Sequence, residues 1–194
     1  MRAAPYPPDE MPADLRALHD EMAAYVAEHL KGFVSMRTDR ALVGPFPPML
    51  RFPAFGRAAW SYTKALIDHS HLPKPAHEVA ILATGAVFSS RYELYAHERV
   101  AEGAGLSPSK IATIAAGQRP ADLTEQEQAA YDVAVALASG RQLPQSTYAR
   151  AVRLFGEQQT AELIYLVGGY CLVSLLLNAY DISVPGREEG LPEG

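Results

Sequence analysis

The sequence is poor in several features, and each shortage excludes something. It holds a single cysteine, Cys171, so neither an intrachain disulfide nor a Cys-x-x-Cys redox pair can form, and nothing requires an oxidising compartment. Basic residues are sparse and scattered: 17 Lys and Arg against 22 Asp and Glu leave a formal charge of -5, which argues against a nucleic-acid surface. No stretch alternates apolar and polar residues with period two, so no strand is expected. Neither an internal repeat nor a low-complexity tract is present. The N-terminal residues lack the charged segment and apolar run of a secretory signal. The longest apolar run, 163–177, is interrupted by Gly168, Gly169, Tyr170 and Ser174 and is too short to span a bilayer. The expectation is a cytoplasmic chain with no membrane or nucleic-acid partner.

What is present is helical periodicity. With 194 residues, 48% of them hydrophobic, the chain suits one domain over 1–194 with a core of about 50–180 and flexible ends at 1–11 and 185–194. Residues 1–12 carry four prolines and read as an extended or disordered lead-in. Leu15, Leu18, Met22, Tyr25 and Val26 recur at helical spacing. The run Gly44-Pro45-Phe46-Pro47-Pro48 reads as loop, and the apolar residues of 46–55 suit either a packed connector or a pocket wall. Helical patterns follow over 55–67 and from Pro75 through Val87. The spacing of Ser90 and Glu93 is that of a capping box opening a helix to about 103–105. Ser107-Pro108, Thr124 with Glu127, and Pro144 open further helices, and the last runs over 157–180. Gly168-Gly169 inside it costs about 1 kcal/mol per glycine relative to alanine, which predicts close helix approach. The chain therefore reads as all-α, with seven or eight helices. Apolar material on several sides of the last helix predicts a subunit interface or simple burial.

The polar residues gather where two helices meet. In Ser90-Arg91-Tyr92-Glu93-Leu94-Tyr95-Ala96-His97, Glu93 and His97 lie four positions apart and overlie one another on a regular helix. A carboxylate beside an imidazole fixes its tautomer and raises its proton affinity, as acid–base chemistry near neutral pH requires. The same spacing also allows Glu93 to reciprocate a cap at Ser90 and His97 to be a packed helix histidine. Glu78 reads as an exposed residue near a helix start or, if the two helices form a hairpin, as a second carboxylate against His97 with coupled titration. His69, His71, His77 and His97 with Glu78 and Glu93 invite a metal site, but no close-spaced ligand motif is present, and neither metal nor cofactor is expected.

The stretch from Glu78 through His97-x-x-x-Ala101-x-x-x-Gly105, followed by Ser107-Pro108-Ser109-Lys110-Ile111, the Leu123-Thr124-Glu125-Gln126-Glu127 turn and Glu162-Leu163-Ile164, resembles the carboxymuconolactone decarboxylase and alkylhydroperoxidase D-like superfamily over about 50–180. The resemblance implies an orthogonal AhpD-like helical bundle that assembles as a homo-oligomer with sites near subunit contacts. In the hydroperoxidase branch the motif is a glutamate followed by Cys-x-x-Cys-x-x-x-His. Its glutamate falls on Glu78 and its histidine on His97, but its cysteines fall on Ser90 and Glu93, which disfavours thiol peroxidase chemistry. The resemblance thus implies cofactor-free proton transfer or decarboxylation on a small carboxylated lactone or keto acid, an aromatic or lactone carboxylate, with Glu78, Glu93 and His97 catalytic. Ser90, Arg91, Tyr92 and Tyr95 are the substrate-binding candidates, Arg91 for a carboxylate and the tyrosines for a developing oxyanion. The alternatives are a non-catalytic oligomeric binding or scaffold protein and an atypical alkylhydroperoxidase-like oxidoreductase.

Overall fold

The structure, a computed structural model, describes residues 1–186. Helix α4 (Lys74–Phe88) is the centre of the molecule because its residues are apolar and mostly small on every side, letting neighbours approach from all directions. Val79, Ala80, Ile81, Leu82 and Ala83 are at most 1% exposed. Burying one such branched side chain contributes roughly 1.5–3 kcal/mol. Around α4 pack α5 (Arg91–Gly103), α6 (Pro108–Ala115), α7 (Glu125–Ala138) and the 35-residue α8 (Gln145–Ala179). Gly156 adopts φ 78°, ψ 171° and breaks α8 at the point expected from the sequence. Before α4 come α1 (Ala13–His29), α2 (Phe46–Arg51) and α3 (Pro53–Asp68). Among the described residues there are eight α-helices, one 3-10 turn at Pro8–Glu10 and no strand beyond an isolated bridge between Met36 and Leu42. The all-α expectation of seven or eight helices holds among the described residues.

Two expectations are corrected. The proline-rich run expected as loop is α2: Pro47 and Pro48 occupy its first turn, where a missing N–H breaks no intrahelical bond. Phe46, Met49 and Leu50 bury against Trp60, Leu18 and Met22, so this part of 46–55 is core and not a pocket wall, whereas Phe52 and Phe55 are exposed. The lead-in is extended, as its prolines require, but docked: the Arg2 amide donates to the Tyr180 carbonyl at 2.8 Å, and Ala3 is buried beside Tyr92, Val173 and Leu177. Of the C-terminal stretch expected to fray, 187–194 lie outside the described residues. The apolar run at 163–177 lies within a helix long and apolar enough to cross a membrane by length and composition, and half of that stretch is interior to the fold.

Two contacts set where α4 and α8 lie. The Glu162 carboxylate on α8 accepts from the Ser70 hydroxyl (2.8 Å), the His71 amide (3.0 Å) and the Leu72 amide (3.2 Å), clamping the α3–α4 connection. Gly169 lets α8 meet α3: a Cβ there would lie 2.4 Å from Leu66 Cδ1. At Gly56 the obstacle is backbone, since a Cβ would lie 1.9 Å from the Met49 carbonyl oxygen. Leu66 can turn aside and the Met49 carbonyl cannot. We therefore expect Gly56→Ala to destabilise the fold by at least about 2 kcal/mol, while Gly169→Ala costs less because helix propensity offsets part of the clash. Urea denaturation of both variants checks the order.

Candidate active site

Helices α4 and α5 are joined by a tight corner in which Ser89 has positive φ (52°), and this folds the two helices into a hairpin. Gly85 permits the approach, because a Cβ at that position would lie 3.3 Å from Glu93 Cγ. The hairpin brings together the three residues singled out as catalytic candidates. His97 Nδ1 and Glu78 Oε2 are 2.8 Å apart and hydrogen-bonded. On the other side of the ring, Nε2 lies 3.3 Å from Glu93 Oε1, but the approach is too oblique for a hydrogen bond, and that oxygen has no partner. The second Glu78 oxygen pairs with His77 Nδ1 at 3.1 Å. The side chains of Glu78 and Glu93 are 7% and 4% exposed and that of His97 14%, so solvent reaches the group mainly along the histidine.

The bland readings of both glutamates fail on geometry. Ser90 is the N-cap of α5, but its hydroxyl makes no capping bond, and Glu93 does not reciprocate one. A true capping box exists at Thr124 and Glu127 instead. Glu78 lies beyond the first turn of α4 and is buried rather than exposed. With Pro73 at the N-cap, Glu78 is the fifth residue of α4.

Burial and charge then separate the two carboxylates. For Glu78, burial favours the neutral acid, but the His97 and His77 imidazoles outweigh it and hold the carboxyl down at about 2. For Glu93, burial dominates and pushes the carboxyl up to about 7; His97 offsets part of this, while the Glu78 charge adds to it. For His97, burial works against the cation, but the charge and hydrogen bond of Glu78, joined by Glu93, raise its proton affinity above the ordinary value. An ionised Glu78 therefore anchors a protonated His97, and Glu93 is poised to hold or release a proton near neutrality.

The four substrate-binding candidates divide. Ser90 Oγ is fully buried and has no partner. Tyr92 and Tyr95 are engaged elsewhere: the Tyr92 hydroxyl donates to the Val34 carbonyl at 2.7 Å, and the Tyr95 hydroxyl accepts from the Val34 amide at 3.3 Å, so both fix the 30–43 connection. Arg91 is on the surface, reaching Asp181 at 3.5 Å. None of these three serves the site as expected, because each lies on a face of α5 turned away from His97. The sequence reading missed Tyr170, whose ring packs edge-on against His97 at 5.1 Å and whose phenol is held well above its ordinary value by burial and by Glu93 and Glu78. Its one sequence signal was a hydroxyl-bearing aromatic after a diglycine in an apolar helix. His77 had been considered only as a metal ligand. Both His97 nitrogens face carboxylates, and among the described residues no three His, Cys, Asp or Glu are arranged to hold a metal ion. Of the concavities on the described surface, one runs along α1 at Ala13, Arg16, Ala17 and Asp20 and another lies at the N-terminal segment near Pro5 and Val43; neither of these borders Glu78, Glu93 or His97.

Comparisons agree with this architecture. Residues 53–136 match the model of the carboxymuconolactone decarboxylase family, a span that includes Glu78, Glu93 and His97. Among solved structures, the chain is similar to an alkylhydroperoxidase AhpD core, an uncharacterized peroxidase-related protein from Ralstonia eutropha JMP134, at 17% identity over 95% of this chain and 92% of that one, with a TM-score of 0.73. It is also similar to the debrominase Bmp8, solved as a cysteine-to-alanine variant with 2,3,4-tribromopyrrole, at 14% identity over 95% of this chain and 92% of that one, with a TM-score of 0.72. The apo debrominase gives a TM-score of 0.70 at 14% identity over 90% of each chain. No curated protein matches the sequence. The superfamily resemblance and the AhpD-like fold both stand, with one cysteine in place of a thiol pair.

The raised Glu93 carboxyl has a stability consequence. Between the ordinary value of 4.5 and about 7, the folded chain holds a proton that the unfolded chain has lost, so the Glu93 contribution to stability falls as pH rises through that window. Glu78 acts oppositely: its contribution is present above 4.5 and is lost as pH falls toward about 2. Glu93→Gln, which cannot ionise, should therefore gain stability relative to the parent chain between pH 5 and pH 8, by on the order of 1–3 kcal/mol. Urea denaturation at the two pH values reads the difference, and a gap that does not widen contradicts the assignment.

Proposed function

We propose that this chain is an acid–base enzyme of the carboxymuconolactone decarboxylase type, performing cofactor-free proton transfer or decarboxylation on a small carboxylated lactone or keto acid. The observation that carries the reading is the position of His97 between two buried carboxylates, bonded through Nδ1 to Glu78 and flanked at Nε2 by a Glu93 that makes no competing hydrogen bond. Anchoring Nδ1 fixes the ring and leaves Nε2 to exchange a proton with substrate. In a decarboxylation, the carbon–carbon bond to the carboxylate breaks, carbon dioxide departs, and the electron pair passes to the adjacent carbonyl as an enolate. His97 Nε2 or protonated Glu93 then delivers a proton to carbon, and water restores it. Isomerisation by proton abstraction would use the same groups in the reverse order. The oxidoreductase alternative lacks a thiol pair, since Ser90 and Glu93 stand at the cysteine positions of the family motif. The binding or scaffold alternative draws on one observation, that neither concavity borders the three residues.

The test is a screen of small carboxylated lactones and 3-keto acids in deuterated water, following carbon dioxide release and deuterium incorporation at carbon. Turnover should fall by about 10²–10⁴-fold in His97→Asn and Glu93→Gln, the usual range for loss of a general acid or base. A screen in which no compound turns over favours the scaffold, and variants that turn over as fast as the parent remove His97 and Glu93 from the reaction.

We also propose that the chain self-associates. Phe52, Phe55, Tyr165 and Leu175 are 51%, 81%, 63% and 55% exposed and flank the seam between α3 and α8. Exposed apolar side chains of this size mark an interaction face, and a second copy is the expected occupant because half of the most apolar stretch of α8 is not buried by its own chain. Light scattering should give a multiple of the 21.0 kDa chain mass, and Tyr165→Glu with Leu175→Glu should reduce it to one.

A further inference from the structure

Three buried oxygens beside the α4–α5 corner have no hydrogen-bond partner: Ser90 Oγ, Glu93 Oε1 and Ser174 Oγ. Ser90 and Ser174 are 0% exposed and Glu93 3%. Ser174 is placed by its neighbours one turn away on α8. Tyr170 packs on His97, and the Asn178 amide donates to the Phe88 carbonyl at 2.7 Å, so the side of α8 carrying residues 170, 174 and 178 lies along the corner from His97 to the end of α4. Ser90 begins α5 at that corner. As N-cap it would ordinarily bond an amide of the first turn, yet its hydroxyl caps nothing, and the 13-residue α5 starts without a side-chain cap.

An uncapped helix N-terminus offers amide donors and the positive end of the helix dipole. Two sealed hydroxyls beside it are costly to bury unless a ligand satisfies them, and alanine would fill the same space. We propose that the N-terminus of α5, with the Ser90 and Ser174 hydroxyls, is an oxyanion subsite that takes the carboxylate or enolate oxygen of a small organic acid. The inference rests on the proposed acid–base reading and adds to it the direction in which substrate lies. Ser90 precedes Glu93 by three residues and His97 by seven, and His97 Nε2 lies 3.3 Å from Glu93 Oε1, so the corner, Glu93 and His97 follow one another along one side of α5. Both hydroxyls are closed off in the free chain, so binding separates the 170–174 turn of α8 from the corner. The charge that decarboxylation places on the enolate oxygen would then meet the Ser90 hydroxyl and the first-turn amides of α5.

The test uses acetate as the probe and acetamide as its neutral counterpart, with the amide resonances of Arg91, Tyr92 and Glu93 as reporters in the full chain. Acetate should shift them saturably and acetamide should not. Ser90→Ala and Ser174→Ala should each weaken the acetate response at least tenfold while leaving the Tm unchanged or raising it, because neither hydroxyl makes a bond in the free chain. A hydroxyl with a structural role would give the opposite pair of results, a lower Tm with the acetate response intact, and that overturns the proposal. So does the absence of any saturable shift. Loss of the subsite and loss of the reaction are separable: if His97→Asn abolishes turnover while both serine variants retain the parent kcat and KM, the subsite fails and the acid–base reading survives. If acetate binds as described but no compound turns over, the reverse holds.

Discussion

The bond between Glu78 and His97 ties the rest of the site together. It joins the central helix α4 to α5 across the hairpin, and every other feature depends on its charge. An ionised carboxylate buried among apolar helices is stable only with partners, and here it has an imidazole on each oxygen. Once Glu78 holds a negative charge, His97 takes a proton more readily and Glu93 yields one less readily. Substituting either member of the bond would leave a buried charge unpaired, which typically costs 3–5 kcal/mol, so structural and chemical effects at these two positions are linked. Glu93 is the cleaner site to probe, because its removal relieves a like charge rather than stranding an opposite one.

Packing supplies the rigidity that this arrangement needs. The Glu162 carboxylate clamps the connection before α4, and Gly169 seats α8 against α3. Through these contacts α8 is held where Tyr170 lies on His97, and the imidazole is restrained from a third side. Tyr92 and Tyr95 contribute at a distance, since both hydroxyls grip Val34 and fasten the long connection over the back of α5. Residues that looked like binding groups thus secure the element that carries the acid and the base. The Ser90 and Ser174 hydroxyls, which bond to nothing, take no part in this packing.

The legible parts of the sequence were those governed by local rules. Helix periods, the Thr124–Glu127 cap, the break at Gly156 and, at Gly169 though not at Gly168, the need for close approach all follow from spacing and backbone preference, and the structure reproduces them. Two local signals misled. The prolines at 47 and 48 suggested loop, but their position within the first turn decides whether they break a helix. The spacing of Ser90 and Glu93 suggested a cap, but buried neighbours drew the glutamate inward to His97.

By itself, then, the sequence determined that the chain is helical, that it has no thiol pair, and that Glu93 and His97 share one face of a helix. These properties depend on residue identity and on separations of a few positions along the backbone. Tertiary structure decided that Glu78 belongs with them, that Tyr92, Tyr95 and Arg91 do not, and that Tyr170 does. Those relations join residues between 19 and 90 positions apart. The reason is physical: a proton affinity is set by which charges and apolar walls surround a group in space, and helix packing assembles those surroundings from segments whose separation in sequence carries no signal of their contact.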